Sequence, residues 1–311
     1  LKFDPNTIEH LGVSLYSKLP NVISELVSNS WDADANNVFI NITDRDDGKV
    51  IVYKDDGNGM DYEELKDKYL CIGRNRRKEG FNTTSGGRKV IGKKGLGKLA
   101  VFGICNKIEL TSTKNGFRNK FRMDIDEIKK PGTSTYYPDI LEKNTPTSDP
   151  NGIELVLSDI RRKSHFNCDE LEMSLAKKFV IFDKINILIT YNDEPREVIT
   201  NELKFSGFEP EFEWQFPLAD FATGYEFESR ISGKIFTLKT PIKDTEMKGV
   251  YLTSRGKIVN NASFYGLRDT DLFHTYVTGY LEVDFIDEFR EDVIGTDRQS
   301  LNWETNETKE L

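Results

Sequence analysis

The 311 residues predict an α+β fold in two domains. Three observations carry that prediction. There is one helical run near the start, then a succession of short strand-like runs interrupted by a long glycine- and base-rich stretch. Polarity then rises at Asn192 to Arg196, which sets a larger first part apart from a smaller second one. Pro20 to Ala33 reads as the helix, with Pro at its start and Val22, Ile23, Leu26 and Val27 at helical spacing. Strands follow at Asn37 to Ile42 and Lys49 to Tyr53, joined by a turn through Asp46-Asp47-Gly48. Asp61 caps a short helix reaching Leu70, with acids in its first turn. Gly73 to Gly95 has no apolar period, and a loop of that length inside a compact domain is usually functional or disordered. Leu96 to Phe102 returns to helix, and strands come next near Lys107 to Thr113, Phe117 to Ile125 and Gly152 to Leu157. A helix over Asp169 to Phe182 and an apolar strand over Ile185 to Tyr191 complete the first domain, 1–194. The second, 195–311, holds strand-like runs at Arg230 to Leu238, Gly249 to Thr253 and Thr278 to Phe285.

A hydrophobic content of 37% with 31% charged residues is that of an ordinary globular protein. No apolar run approaches the roughly 18 residues that span a bilayer, and nothing at the start reads as a signal peptide, so no membrane partner is expected. Cys71, Cys105 and Cys168 lie far apart, as do His10, His165 and His274; no pair has metal or redox spacing, and the chain reads as cytoplasmic. It opens at Leu1 without Met and stops in the polar stretch Glu304 to Leu311, which predicts effector regions beyond either end. Net charge is -9, yet Arg74, Arg76, Arg77, Lys78, Arg88, Lys89, Lys93, Lys94 and Lys98 crowd one segment against the single acid Glu79. That concentration suits a local polyanion contact; a merely solvated loop stays open as the alternative.

Three short segments bear chemistry. On the first helix, Glu25, Asn29 and Asp32 are spaced four and then three apart and share one face. Such a face can be a plain solvated stripe. A carboxylate and an amide one turn apart also suit water activation beside a magnesium ion, which takes hard oxygen ligands. Asp55-Asp56-Gly57-Asn58-Gly59-Met60 follows a strand; alone it is weak, because Asp and Gly are common turn residues. Ile91-Gly92-Lys93-Lys94-Gly95-Leu96-Gly97-Lys98 is a glycine-rich loop opening a helix, where backbone N–H groups can cradle phosphate. It lacks the Gly-Lys-Ser/Thr ending of a Walker loop.

In this order and separation the three segments resemble the signature of the GHKL superfamily of ATPases: gyrase, the ninety-kilodalton heat-shock chaperone, histidine kinases and MutL. The resemblance implies a GHKL (Bergerat-type) α/β sandwich followed by a smaller α+β transducer-like domain. It implies ATP and Mg2+ as cofactors, Glu25 as general base toward the water attacking the γ-phosphate, and Asn29 as the magnesium ligand, with Asp32 as their supporting partner. Asp55 matches the carboxylate that accepts from the adenine amino group, Met60 the residue on the purine, and Gly57 and Gly59 the points of close backbone approach. Gly92, Gly95 and Gly97 match the phosphate-holding glycines, with Lys94, Leu96 and Lys98 in the same loop, and about 71–95 looks like the ATP lid. The family often has Gly-Thr where this chain has Gly152-Ile153, so that hydroxyl is absent or comes from elsewhere. Val250 to Lys257, Gly279 to Phe285 and Asp292 to Ser300 look like the transducer domain of MutL, gyrase and the chaperone, and Arg298 matches its γ-phosphate-sensing base. An exposed arginine capping a helix is the other reading of Arg298.

The implied activity is Mg-dependent ATP hydrolysis by a clamp whose lid closure and homodimerisation are driven by ATP, with DNA or a protein client as partner. Ser28 to Ala33 and Cys71 to Arg74 look most similar to chaperone-like and microrchidia-like members. The alternative is a nucleotide-gated binding module with negligible turnover, against which Glu25 argues. A histidine kinase is disfavoured, since no phospho-accepting His with a dimerisation helix is visible.

Overall fold

The computed structural model describes residues 18–69, 82–92, 97–128, 136–218, 224–266, 272–295 and 300–311, with Lys68 and residues 97–99 as backbone only. The chain divides into two compact units, Leu1–Leu175 with Phe182–Thr200, and Ala176–Ile181 with Asn201–Leu311.

The first unit is built on helix α1 (Leu19–Asp32), a long sheet and the greater part of helix α2 (Cys168–Lys178). α1 begins with Pro20 in its first turn, where a missing N–H costs nothing. Val22, Ile23, Leu26 and Val27 are 3% exposed or less, each worth about 1.5–3 kcal/mol of burial, and the helix rests on the 3-10 turn Gly97–Gly103. Its end is closed by two bonds, Asp34 N–H to the Trp31 carbonyl and Ala35 N–H to that of Ser30. That pattern needs a left-handed residue just past the helix; glycine is usual there, and here Asp34 takes it at φ 59°.

The sheet comprises β1 (Asn37–Arg45), β2 (Gly48–Asp55), β3 (Cys105–Lys114), β4 (Phe117–Asp124), β5 (Asp139–Pro146), β6 (Gly152–Ile160), β7 (Asn186–Tyr191) and β8 (Glu194–Pro195), in spatial order β5-β4-β3-β6-β2-β1-β7-β8. β1 and β7 run parallel and every other neighbouring pair antiparallel. β1 alternates strictly: Val38, Ile40, Ile42 and Asp44 are buried, whereas Phe39 on the opposite face is 45% exposed. Asp44 is an anchor rather than a reactive group. Its carboxylate accepts from Lys49, from the Phe166 N–H at 2.6 Å and from the Tyr191 hydroxyl at 3.1 Å, tying the β1–β2 hairpin to the segment before α2 and to β7. The acid-capped helix after Met60 is a single turn, Tyr62–Glu64, with Asp61 and Glu64 capping reciprocally, and it widens into a π-turn over Leu65–Tyr69.

The second unit carries a five-stranded sheet of β9 (Pro210–Phe216), β10 (Ser232–Leu238), β11 (Gly249–Ser254), β12 (Lys257–Ser263) and β13 (Val277–Glu282), ordered β12-β11-β13-β10-β9. β11 and β12 form a hairpin whose turn residues Arg255 and Gly256 both have positive φ. Two apolar clusters form its core: Phe236, Leu238, Ile242, Met247 and Tyr251 in one, and Leu252, Val259, Val283, Phe285 and their neighbours in the other. Lys204, only 2% exposed, is enclosed with them. Its ammonium donates to the Phe179 carbonyl at 3.1 Å and lies 5.5 Å from the Tyr251 and Tyr280 rings.

Burial pushes the Lys204 amine down to about 7. The unfolded chain holds that proton up to pH ~10.4, so between the two values unfolding takes up a proton. Raising pH from 7 to 9.5 should therefore stabilise the protein through this group by up to about 1.4 kcal/mol per pH unit, and below pH 7 the group adds no further slope. Urea unfolding followed by tryptophan fluorescence should show this gain in the wild type and a flatter pH dependence in Lys204→Met. Equal slopes would mean that Lys204 stays charged in the fold.

Candidate nucleotide site

α1 turns its apolar side to the core and leaves Glu25 and Asp32 half-buried and Asn29 exposed, so the three polar residues do share one open face. Beside its C-terminal end, β2 delivers Asp55 into an interior position, 4% exposed. The Ser30 hydroxyl donates to Asp55 Oδ2 at 2.6 Å and itself lies 2.7 Å from the Tyr53 hydroxyl. The N–H groups of Gly57 and Ile153 reach Oδ1 at 3.0 and 3.3 Å. Burial pushes the Asp55 carboxyl above its ordinary value, and these three donors pull against that shift. A carboxylate offers about four lone-pair sites; among the described residues three are engaged, and the fourth lies on Oδ2.

The backbone around Asp55 is drawn together more closely than side chains allow. A Cβ on Gly59, at φ 62°, would fall 2.0 Å from the Thr113 carbonyl oxygen, and one on Gly152 would fall 2.1 Å from that of Asp55. Only glycine permits either approach. Met60 is held by both its backbone groups to the Ser112 hydroxyl, each at 2.7 Å.

Segment 82–92 is tied to the end of α1 by three anchors, Trp31, Asp32 and Asp34. Asp32 accepts the N–H groups of Ile91 at 2.8 Å and Gly92 at 2.9 Å, one on each oxygen. A Cβ on Gly92 would sit 2.6 Å from Asp32 Oδ2. Asp34 accepts from the Thr84 hydroxyl, from Ser85 Oγ and from the Gly86 N–H, both of the latter at 2.8 Å. Despite the opposing cost of desolvation, those donors hold its carboxyl below the ordinary value. Trp31 Nε1 donates to the Lys89 carbonyl, and Arg88 lies over the Trp31 ring, donating to the Ala35 and Lys184 carbonyls and to Asn36 Oδ1. Arg88, counted in the sequence among the basic lid residues, thus has its charge engaged by carbonyls and an aromatic face.

A family model described as histidine kinase-, DNA gyrase B- and HSP90-like ATPase matches residues 16–150, the stretch that holds Glu25, Asn29, Asp55 and the glycine loop. This stretch is similar to the ATPase domains of the GHKL superfamily. Over 323 aligned residues the chain is 29% identical to a protein of Herpetosiphon aurantiacus named as a candidate type II restriction enzyme, HgiDII, covering 97% of this chain and 52% of the relative. It is 31% identical over 119 residues to the chaperone protein HtpG of Borreliella burgdorferi, 32% of this chain and 19% of HtpG. With HtpG of Sulfurovum sp. it shares 25% identity over 202 residues, 58% of this chain and 31% of the relative. The chain therefore spans about half the length of the first relative and less of the others.

That similarity supports ATP binding; Asp55, Gly57, Gly59, Met60 and Gly152 lie together, and Asp32 holds Gly92 at the end of α1. Gly97 opens the 3-10 turn Gly97–Gly103, where the sequence predicts helix. Lys94, Gly95, Leu96, the Lys98 side chain, lid residues 71–81 and 93–95, and Arg298 lie outside the described residues. What sequence reading missed is Ser30. Its hydroxyl engages Asp55 while position 153 contributes a backbone N–H, so a hydroxyl does reach the carboxylate from the helix rather than the strand. Asp34 was also missed, although Asp directly after a helical run, followed by Ala, offers a weak signal of a helix stop. No cluster of three or more His, Cys, Asp or Glu side chains able to hold a metal occurs among the described residues. An ATP-bound magnesium ion needs few protein ligands, and the exposed Asn29 amide one turn from Glu25 fits that demand. Among the described residues, no helix is long and apolar enough to cross a membrane.

Proposed function

We propose that this chain is the ATP-hydrolysing clamp module of a longer protein, in which ATP drives lid closure and pairing of two copies. The observation that carries the proposal is Asp55. A buried carboxylate with, among the described residues, three protein donors and one remaining acceptor position is suited to an exocyclic amine such as that of adenine. Glu25 on the open face of α1 would orient the attacking water, and Asn29 would hold magnesium together with phosphate oxygens. The ion would supply neutralisation of phosphate charge. Glycines 92, 95 and 97, with Lys94 and Lys98, would hold the phosphates. Arg298, carried by the resemblance, would sense the γ-phosphate. Another basic residue of the second unit, Arg255, is less suited to that role, since Asp287 pairs with it at 2.7 Å and only 11% of its side chain is exposed.

The relative named as a restriction enzyme aligns along nearly all of this chain, whereas the chaperone relatives cover less of it. On that ground we place the client among nucleic acids, DNA first. ATP turnover by the purified protein, with and without duplex DNA, tests both parts: no turnover under either condition would defeat the enzymatic reading.

ATP can favour a closed dimer only through contacts that are better in that state, which points to the γ-phosphate. A non-hydrolysable ATP analogue should therefore shift sedimentation from monomer toward dimer while ADP does not, and Arg298→Ala should blunt the shift. Identical sedimentation with analogue, ADP and no nucleotide would remove the clamp and leave nucleotide binding standing.

A further inference from the structure

We propose that the loop Arg161–His165, between β6 and α2, is a nucleic-acid contact surface that grips the phosphate backbone of a duplex without reading its sequence. The inference rests on the reading of the client as nucleic acid and names the surface that meets it. Arg161-Arg162-Lys163-Ser164-His165 is exposed throughout, in a chain whose net charge is -9. Other arginines close on carboxylates: Arg45 on Asp193, Arg122 on Asp139, Arg230 on Glu288. Among the described residues, Arg161, Arg162 and Lys163 have no carboxylate partner.

Local contacts prepare both guanidinium groups for phosphate. Arg161 is fixed by its backbone N–H on the Ile104 carbonyl at 3.0 Å and by Nε on Asn106 Oδ1 at 2.8 Å. The same Asn106 amide donates to Asp159 at 3.1 Å, so Asp159 is engaged by the amide and not by the arginine. Arg162 donates through Nε to Ser164 Oγ at 2.9 Å and lies over the Phe166 ring, 5.6 Å from its centre. Each arginine thus has Nε on a neutral oxygen and both Nη atoms without a described protein acceptor, the fork that takes phosphate oxygens in pairs. Buried Asp44 holds the loop backbone in place. Lys49, paired with Asp44, donates to the Ser164 carbonyl at 3.2 Å; the Phe166 N–H donates to Asp44 at 2.6 Å, and His165 Nδ1 lies 3.2 Å from it. Ile153, beside Asp55, stands at the start of β6 and Arg161 follows its end, roughly 25 Å away at about 3.3 Å per residue, so the loop is no part of the nucleotide site. Adjacent cations suit a polymer of closely spaced phosphates. A membrane surface fits less well: interfacial binding sets exposed apolar side chains beside the basic ones, whereas Phe166 is buried and 159–167 expose no large apolar side chain.

The test is binding of the intact chain to a fluorescently labelled duplex of mixed sequence, followed by anisotropy over a series of salt concentrations. The combined variant Arg161→Gln, Arg162→Gln, Lys163→Gln should bind about 10²-fold more weakly at physiological salt. Its slope of log affinity against log salt should be shallower by about 2–3, at about 0.9 per phosphate contact. Duplexes of unrelated sequence should lose equally. The control makes the same charge change elsewhere, Arg45→Gln, Arg122→Gln, Arg230→Gln, and should keep the wild-type slope. If the loop variant melts below the wild type, Lys163→Gln, which breaks no described contact, takes its place and should make the slope shallower by about one. An unchanged slope in the loop variant, a sequence-dependent loss, or an equal fall in the control would overturn the inference while the nucleic-acid reading stands. A wild type that binds no duplex, or binds vesicles of phosphatidylserine and phosphatidylcholine instead, would overturn that reading and the inference with it.

Discussion

Glu25→Ala should bind ATP as tightly as the wild-type chain and hydrolyse it about 10²–10⁴-fold more slowly, the usual cost of losing a general base. The separation of the two effects follows from where Glu25 sits. It lies on the open face of α1, one turn from Asn29, whereas the Asp55 network begins at Ser30 and is formed by the helix end, β2 and β6. Removing a half-exposed carboxylate there leaves the buried apolar positions Val22, Ile23, Leu26 and Val27 in place, so the fold should tolerate the change. Calorimetry with a non-hydrolysable analogue measures the first quantity and steady-state phosphate release the second. Turnover equal to wild type would take Glu25 out of the mechanism.

Asp55→Asn should do the reverse and lower nucleotide affinity itself, by about 10²-fold. The two N–H donors of Gly57 and Ile153 fix which end of an asparagine amide faces them: the oxygen must take the Oδ1 place. The amide nitrogen then occupies the place of Oδ2, where it meets the Ser30 hydroxyl and any incoming exocyclic amine, each a donor that the carboxylate used to satisfy. The contact with Ser30 is altered with or without nucleotide and so bears on stability; the mismatched exocyclic amine, at about 1–3 kcal/mol, gives an affinity loss of up to that order. ADP affinity unchanged in a variant that melts normally would reduce Asp55 to a turn residue.

Most of the central strands were legible because burial imposed a period on them. β1 shows why: three apolar side chains at alternate positions face the core. β5 escaped because Asp139 to Pro146 is exposed along nearly its whole length and so carries no apolar alternation. β9 is a different case, since Phe212 and Trp214 alternate with Glu211 and Glu213 and the signal was present but not taken. The three motif segments could be read because their chemistry is local. The contacts that organise them are not: Ser30 and Asp55 are 25 positions apart, and nothing in Ser28-Asn29-Ser30 says which hydroxyl will face a strand. Arg88 fails the same way, as a cation in a basic run whose partners, Trp31, Ala35 and Lys184, are distant in sequence.

The three anchors at the end of α1 also bear on how tightly a nucleotide can be held. Fixing a residue's backbone costs about 1–2 kcal/mol of conformational entropy, and when a loop orders around a ligand that cost is subtracted from affinity. Segment 82–92 is held by Trp31, Asp32 and Asp34 through contacts made within the protein itself. Its entropy was lost when the protein folded and is not charged to the binding step. The nucleotide's contacts therefore do not have to offset the ordering of this segment, and the anchors act as a standing contribution to affinity although none of them has to touch the ligand.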